Sequence, residues 1–436
     1  MTEEVAKILT VVQDGVVPTG YTKVWHLMPE DWEDIPLSYI FKKKGQKNKG
    51  NKVKTVFTNS AVNGIIPQSE YFEKDIANSE NTEGYFVVDP LDYVYNPRIS
   101  ENAPYGPFKR NDTGLTGIVS PLYTVLTPRK EFCDSKYLYY YLESAQWHKY
   151  AYSIANCGAR FDRMNITDDE LMRLPIVWPA LAEQERIAEI LKQCDKVIEL
   201  CEKKLAETQK LKKTCLRRMF PENGAKTPNL RFLGYTNEWE LSKIGMHARV
   251  LSAARVHKCE WTSTGIPFFR SSDVVSVYKG TSNEKAFISV ELYEELIKTS
   301  GKLEQGDILV TGGGSIGIPY IVPDDTPLYS KDADLIWIKK SKDIDSMYLF
   351  AYLESAIFRK YIESISHVGT IAHYTIEQVK ATPIELPSHD EQVHIGDFFR
   401  KLNSLIELYE RELEEHKLHK KALMQLLLTG VVRTKA

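Results

Sequence analysis

The sequence predicts an α+β chain: two pseudo-repeated globular α/β domains separated by two long helices that form an antiparallel coiled coil. Three observations carry that prediction. The stretch YLESAQWHKY, residues 141–150, returns as YLESAIFRKY, residues 352–361, with seven of ten letters unchanged. A heptad-patterned segment follows each copy, and short β-rich runs broken by Gly, Pro and Asn precede each. A chain of 436 residues, 43% hydrophobic and 26% charged, has the composition of an ordinary globular protein with room for several cores.

The internal repeat decides the organisation. Tyr137-Leu138 answers Tyr348-Leu349, Trp147 answers Phe358 and Gly158 answers Gly369, all 211 positions apart. Past a three-residue contraction, LPIVWP (174–179) answers TPIELP (382–387) and Glu183-Gln184 answers Glu391-Gln392, now 208 apart. Upstream, Trp32-Glu33 resembles Trp239-Glu240. The chain therefore reads as two diverged copies of one unit, with domains over 1–178 and 220–386 and helices over 179–219 and 387–430.

Within the domains, runs such as GYFVV, DYVYN, PLYTVL, GDILV, PYIV and LIWIKK predict strands across 20–135 and 236–345. The repeated YLxxYLES stretch has helical period, with Tyr137, Tyr141, Leu142 and Ala145 on one face. It predicts a packing helix in each domain. The echoed letters are then scaffold, and the letters that differ carry whatever the two domains do differently.

The long helices show apolar a and d positions with Lys, Glu and Arg between. In the first, Ile187, Cys194, Cys201, Thr208 and Cys215 step by seven, and Ile190, Leu191, Val197, Ile198, Leu205 and Leu211 flank them. In the second, Ile395, Leu402, Tyr409, His416 and Leu423 do the same, beside Phe398, Phe399, Leu405, Ile406, Leu413 and Leu427. Ile187, Cys194, Cys201, Ile395, Leu402 and Tyr409 are the expected seam. Pro179 and Pro387 precede the helices, Ser388 and Glu391 form a capping-box pattern, and Gly430 stops the second. About 36 residues at 1.5 Å each make a rod of roughly 50 Å.

The composition and motifs narrow the function. A net charge of −3 argues against a uniformly basic coat but leaves local patches open. No apolar run reaches the roughly 18 residues of a membrane span, and the start MTEEVAKIL is acidic rather than signal-like. The six cysteines form no CxxC pair, so thiols in a reducing cytosol are the simplest expectation. TGGGSIG (311–317) contains a literal G-x-G-x-x-G, but Pro319 and β-like YIV follow where a dinucleotide site needs a helix. Asn96-Pro97 lacks the second proline and aromatic of an amino-methyltransferase motif. His416 and His419 have no third ligand in register, so a polar coiled-coil layer is the better reading and no metal is expected. Nothing assembles a catalytic constellation, and the expectation is a non-enzyme.

Other features point to nucleic acid. FKKKGQKNKGNKVK (41–54) holds seven lysines and no acid, among them Lys42, Lys43, Lys44, Lys47 and Lys49. It is either a solvated loop or a phosphate contact. Candidate polar loops of the first domain carry Asn96, Arg98, Lys109, Arg110, Arg160 and Arg163. Those of the second carry Arg255, Lys258, Arg270, Ser272, Ser315, Lys331, His367 and His373. Arg can grip guanine, and Asn adenine, with paired hydrogen bonds.

With these residues in place, the chain resembles the specificity subunit of type I restriction–modification systems over essentially its whole length. The most specific carriers are LPIVWPALAEQERIAEIL (174–191) and TPIELPSHDEQVHIGDFF (382–399). The linker FPENGAKTPNLRFLGYTNEWE (220–240), the GDILVTGGGSIG hairpin (306–317) and the ending LLLTGVVRTK (426–435) add to them. Two departures stand out: DYVYNPRISENAPYG replaces the GSIG turn in the first domain, and His394 and Gly396 replace Arg186 and Ala188 in the second helix. The resemblance implies two target-recognition domains, each reading half of a split asymmetric site on double-stranded DNA. It implies that the helix pair sets the unread spacer and docks methyltransferase (modification) subunits, with a restriction/translocase subunit as a further partner. S-adenosylmethionine, ATP and Mg are then expected on those partners and no cofactor on this chain. A free-standing methyltransferase or nuclease fragment, a protein-binding coiled-coil scaffold and a methylation-only system are the alternatives.

Overall fold

A computed structural model of the chain describes residues 17–19, 21–23, 27–71, 82–129, 134–155, 162–222, 224–331, 335–366 and 373–434. It divides into two compact units, one of residues 1–200 with 413–436 and the other of residues 201–412. Arg160, His367 and the Gly158/Gly369 pair of the repeat lie outside the described residues.

In the first unit β1 (Glu33–Pro36), β2 (Phe41–Lys43), β3 (Phe57–Ser60), β4 (Gly64–Pro67), β5 (Tyr93–Tyr95), β6 (Phe108–Arg110) and β7 (Thr124–Pro128) follow in order. Helix α1 (Ser135–Glu143), strand β8 (Pro175–Trp178) and the long helix α2 (Leu181–Arg218) complete it. Strands β2, β7, β5 and β6 form one antiparallel sheet in that order, and β1 pairs antiparallel with β8.

The second unit rebuilds the same frame from β9 (Glu240–Lys243), β10 (Val250–Leu251), β11 (Ile308–Thr311), β12 (Pro319–Ile321) and β13 (Leu335–Ile338), with α3 (Ser271–Lys279) and α4 (Val290–Ser300) between β10 and β11. Then come α5 (Ser346–Glu354), β14 (Pro383–Leu386) and α6 (His389–Leu428). Its sheet runs β10, β13, β11, β12, again antiparallel, and β9 pairs with β14. Strand for strand the two sheets correspond.

The echoed letters hold this frame together. Asp134 caps α1 by accepting from the amides of Lys136 (2.8 Å) and Tyr137 (2.7 Å), and Asp345 caps α5 by accepting from Tyr348 (2.8 Å). The Gln184 carbonyl oxygen accepts from the Asp134 amide (3.2 Å) while its NH2 donates to the Pro179 carbonyl (2.8 Å). Gln392 does the same with Asp345 (3.0 Å) and Pro387 (3.1 Å). Tyr137 donates to the Val177 carbonyl at 2.8 Å, and its counterpart Tyr348 to that of Glu385. Each repeated motif therefore ties a helix cap, a strand and the start of a long helix into one joint. Gly396, a departure between the copies, sits where a Cβ would come within 2.3 Å of an Asp345 carboxylate oxygen.

The repeated stretch is not one helix. It breaks at buried Ser144 and Ser355, which take extended backbone, and resumes at His148 and Ala356. Ala145, expected on the packing face, is exposed beyond the break.

Between β2 and β5 the first unit inserts the β3–β4 hairpin and Phe86–Val88, the latter paired with Gly117–Val119. Between β10 and β11 the second inserts α3, α4 and part of a four-stranded sheet. The sequence reading expects strands there. Three do form, Trp261–Thr262, Ile266–Phe269 and Ala286–Ile288, but two helices form beside them, because Ser289 caps α4 through the Leu292 amide (3.2 Å), and Gly280 (φ 64°) and Gly301 (φ 85°) end α3 and α4. The β-branched run in SSDVVSVYK disguised the first of them.

The long helices run antiparallel. In the first unit Ile187 and Leu191 of α2 share a core with Leu427 and Leu428 of α6. In the second, Cys215 near the end of α2 shares one with Ile395, Phe399 and Leu402. Inward positions alternate by four and three residues, as Ile187, Leu191, Cys194, Ile198, Cys201 and as Ile395, Phe399, Leu402, Ile406, Tyr409, all buried or half-buried. Ile190, Val197 and Leu211, which the heptad reading also allows in the seam, face outward at 38, 41 and 49% exposure.

Both units close on an arginine. Arg433 meets Glu183 (2.9 Å) and Asp31 (2.8 Å) and lies over the Trp32 ring, while Arg231 meets Glu391 (2.7 Å). Among the described residues no helix is long and apolar enough to cross a membrane, and no acid, His and Cys cluster could hold a metal ion.

Candidate nucleic-acid interface

The lysine-rich stretch is a built turn rather than a loose one. Asn48 is buried and grips Val53 through both ends of its amide, donating to the carbonyl at 2.9 Å and accepting from the N–H at 3.0 Å. Gly50 (φ 71°) and Asn51 (φ 50°) take left-handed backbone, which reverses the chain. The Val87 amide donates to the Gln46 carbonyl, and Thr82 donates to the Asn51 side chain, both at 2.9 Å. Lys42, Lys47, Lys49, Lys52 and Lys54 are exposed and make no ion pair among the described residues.

Two lysines of the run have other duties. Lys43 is paired with Asp168. Lys44 bridges Asp89 and Asp92, each at 2.6 Å, with only 14% of its side chain exposed. Burial pulls its ammonium down, and the two carboxylates more than offset that, holding it above its ordinary value.

Several other candidates of the first domain are likewise engaged inside the fold. Asn96 is buried, donates to the Asn59 carbonyl (3.3 Å) and accepts from the Arg98 amide (3.0 Å), which shapes the β5–β6 turn. Gly106 closes that turn at φ 83°, where a Cβ would lie 2.1 Å from the Asn96 oxygen. Lys109 pairs with Glu143 at 2.6 Å, and buried Arg110 with Asp112 and Ser135, each at 2.7 Å. Arg98 remains exposed, and a backbone bridge places it beside half-buried Arg163.

In the second domain the glycine stretch is the β11–β12 turn, the same place in the frame. Thr311 pins it, donating to the Ser315 carbonyl (2.5 Å) and accepting from Ile318 (2.9 Å), and Ser315 is left exposed at the tip. The Tyr374 amide donates to the Gly312 carbonyl (2.8 Å), so exposed His373 stands next to that turn. Arg270 is clamped by Asp273 (2.8 Å) over the Trp261 ring, and Ser272 accepts from Asn283 (3.1 Å). Lys331 lies beside Arg270 because its amide donates to the Phe269 carbonyl at 2.8 Å. Arg255 and Lys258 are exposed on the segment ahead of Trp261.

Asn96 and Arg98 thus lie on one hairpin turn and Ser315 on its equivalent, and Lys44, Lys47, Lys49, Arg255, Lys258, Arg270 and Ser272 lie in the inserts, whereas Lys42, Lys43, Lys109 and Arg110 lie on strands of the frame and Lys331 beyond the second insert. Besides α3 and α4, the sequence reading does not name the β3–β4 hairpin. Its signal was Asn63-Gly64 between two β-rich runs.

Comparison with known proteins gives a consistent result. The family described as "Type I restriction modification DNA specificity domain" matches twice, over residues 29–210 and 237–417. The chain is 25% identical over 422 residues to the type I restriction enzyme MjaVIII specificity subunit of Methanocaldococcus jannaschii, covering 94% of each. It is 24% identical over 432 residues to the putative MjaX specificity subunit of the same organism, covering 94% of this chain and 95% of that one. Among solved structures, the S subunit of a type I restriction–modification system from M. genitalium superposes with a TM-score of 0.54 at 15% identity, over 93% of this chain and 97% of that one. A chain from a study of complex assembly and conformational transition in a type I system gives 0.57 at 15% identity, over 93% and 99%.

Proposed function

The chain belongs to the type I restriction–modification DNA specificity family, and from that premise we propose that it is the non-catalytic subunit that reads DNA for a type I complex. Each domain reads one half of a split, asymmetric site on double-stranded DNA. The observation that carries this reading is the single frame used twice with unlike inserts at the same point, residues 44–92 in one copy and 252–307 in the other. Two unlike readers in one chain suit two unlike half-sites, which a symmetric homodimer cannot address.

The helix pair sets the unread spacer and offers the surface on which methyltransferase subunits dock, with a restriction subunit as a further partner. Methyl transfer to adenine, ATP use and Mg belong to those partners, which also flip the target base. Lys42, Lys47, Lys49, Lys52 and Lys54 supply phosphate contacts, which carry affinity but no sequence information. The complex works in the cytoplasm, where the DNA is.

Selection from a random duplex library with the assembled complex tests this reading. It predicts an enriched pool with two constant blocks separated by a spacer of fixed length. Enrichment of no sequence, by a complex that is intact, contradicts it and favours a protein scaffold.

A further inference from the structure

We propose that the β3–β4 hairpin is a base-reading element of the first domain, entering the DNA major groove with Asn63 on an adenine edge and Val62 on a thymine methyl. The inference rests on the DNA-reading role proposed above and assigns part of it to named side chains.

Placement is the first argument. The hairpin lies within the insert of the first domain, and the second domain has helices and a different sheet there. It is therefore not part of the shared frame.

Construction is the second. Phe57 is buried at the hairpin's base and Ile65 beside the loop, and the Phe57 ring packs so closely on Gly117 that a Cβ there would lie 2.2 Å away. The buried Asn59 amide donates to the carbonyls of Val94 (2.7 Å) and Pro107 (3.2 Å), bracing the ribbon on both strands of the β5–β6 turn. Ser60 pairs with Gly64, whose φ of 70° closes a three-residue loop, and the Ser60 hydroxyl accepts from the amides of Val62 (3.3 Å) and Asn63 (3.2 Å). The tip is held from within. A B-DNA major groove about 12 Å wide admits a two-stranded ribbon, and so admits the narrower loop that this hairpin presents.

The tip's chemistry is the third argument. Val62 is 70% exposed, and the Asn63 side chain is exposed with no hydrogen bond among the described residues. A carboxamide offers adenine N6 and N7 a paired donor and acceptor, and a small apolar group suits the thymine methyl. Phe57, Asn59, Ser60 and Ile65 are buried in the domain, so the loop of Ala61, Val62 and Asn63 is the part of the hairpin presented to solvent.

The test is the duplex selection repeated with complexes carrying Asn63→Ala and, separately, Val62→Ala. Co-purification and melting temperature check assembly, and because both side chains face solvent the fold is expected to hold. Asn63→Ala should lower discrimination at one A·T position of one half-site by roughly 5- to 150-fold. Val62→Ala should weaken the same or an adjacent position by less than tenfold. The other half-site and the spacer should stay as they are. Two half-sites unchanged in both variants overturn the assignment while leaving the DNA-reading role intact. A wild-type complex that selects no split site removes that role and this inference with it.

Discussion

Lys44 and Lys47 are three positions apart in one basic run, and their surroundings separate them completely. Lys44 lies between two aspartates, one of which, Asp92, is 4% exposed, whereas Lys47 faces solvent. Replacing Lys44 by alanine leaves Asp92 buried without its counter-ion and should cost about 3 kcal/mol of stability, read by denaturant unfolding. Replacing Lys47, Lys49 and Lys52 together should leave stability alone. The slope of log binding constant against log salt should become shallower by about 2 to 3, and an unchanged slope would remove these lysines from the phosphate contact. A third residue sets a pH dependence. Burial lifts the Asp34 carboxyl to about 6, and its Oδ1 has no hydrogen-bond partner among the described residues. The folded chain then binds more protons than the unfolded one between about pH 4 and 6, so this group lowers stability as pH rises through that window. Asp34→Asn should leave stability unchanged below pH 4 and raise it by about 1 to 2 kcal/mol above pH 6. The density of lysine was legible in the sequence. The acids that occupy Lys43 and Lys44 were not, because Asp89 and Asp92 lie on a turn 45 and 48 residues from Lys44 and Asp168 opens a helix 125 residues from Lys43.

At the scale of elements, hydrophobic period told most of the story and partner choice told the rest. The heptad steps of Ile187 to Cys215 and of Ile395 to Leu423 predict both long helices, and the stepped residues are buried or half-buried. Ile190 and Val197 could not be assigned from one helix alone, since residues three and four beyond an a position are both apolar there. Only the facing helix selects the fours. Helix α3 was lost to its β-branched composition, and α4 went unassigned although Ser289 and Gly301 mark its ends. The tyrosines of the repeated stretch were legible as packing residues, but not as hydrogen-bond donors to β8 and β14. Tyr137→Phe should therefore destabilise the first domain by about 1 kcal/mol while leaving sequence preference untouched. Inserting one heptad into both α2 and α6 adds about 10 Å of rod and should lengthen the DNA spacer by up to roughly three base pairs. Changed half-site letters with an unchanged spacer would contradict the rod.

At the scale of the whole molecule, the chain is one design written twice and edited most heavily in the inserts, with smaller changes at the β5–β6 and β11–β12 turns and at Gly396. The repeated letters fix caps, strands and the joints to the long helices, and those joints depend on local motifs that survive divergence. The inserts depend on contacts far apart in sequence, so their architecture became visible only in three dimensions. The central claim is that the unlike inserts make this chain a reader of two unlike half-sites. It is tested most directly by sequencing methylated adenines in cells that express the chain with a methyltransferase partner, against cells with the partner alone. The account predicts a split, asymmetric motif that appears only when this chain is present. An unchanged methylation pattern, with the two proteins soluble and associated, would contradict it.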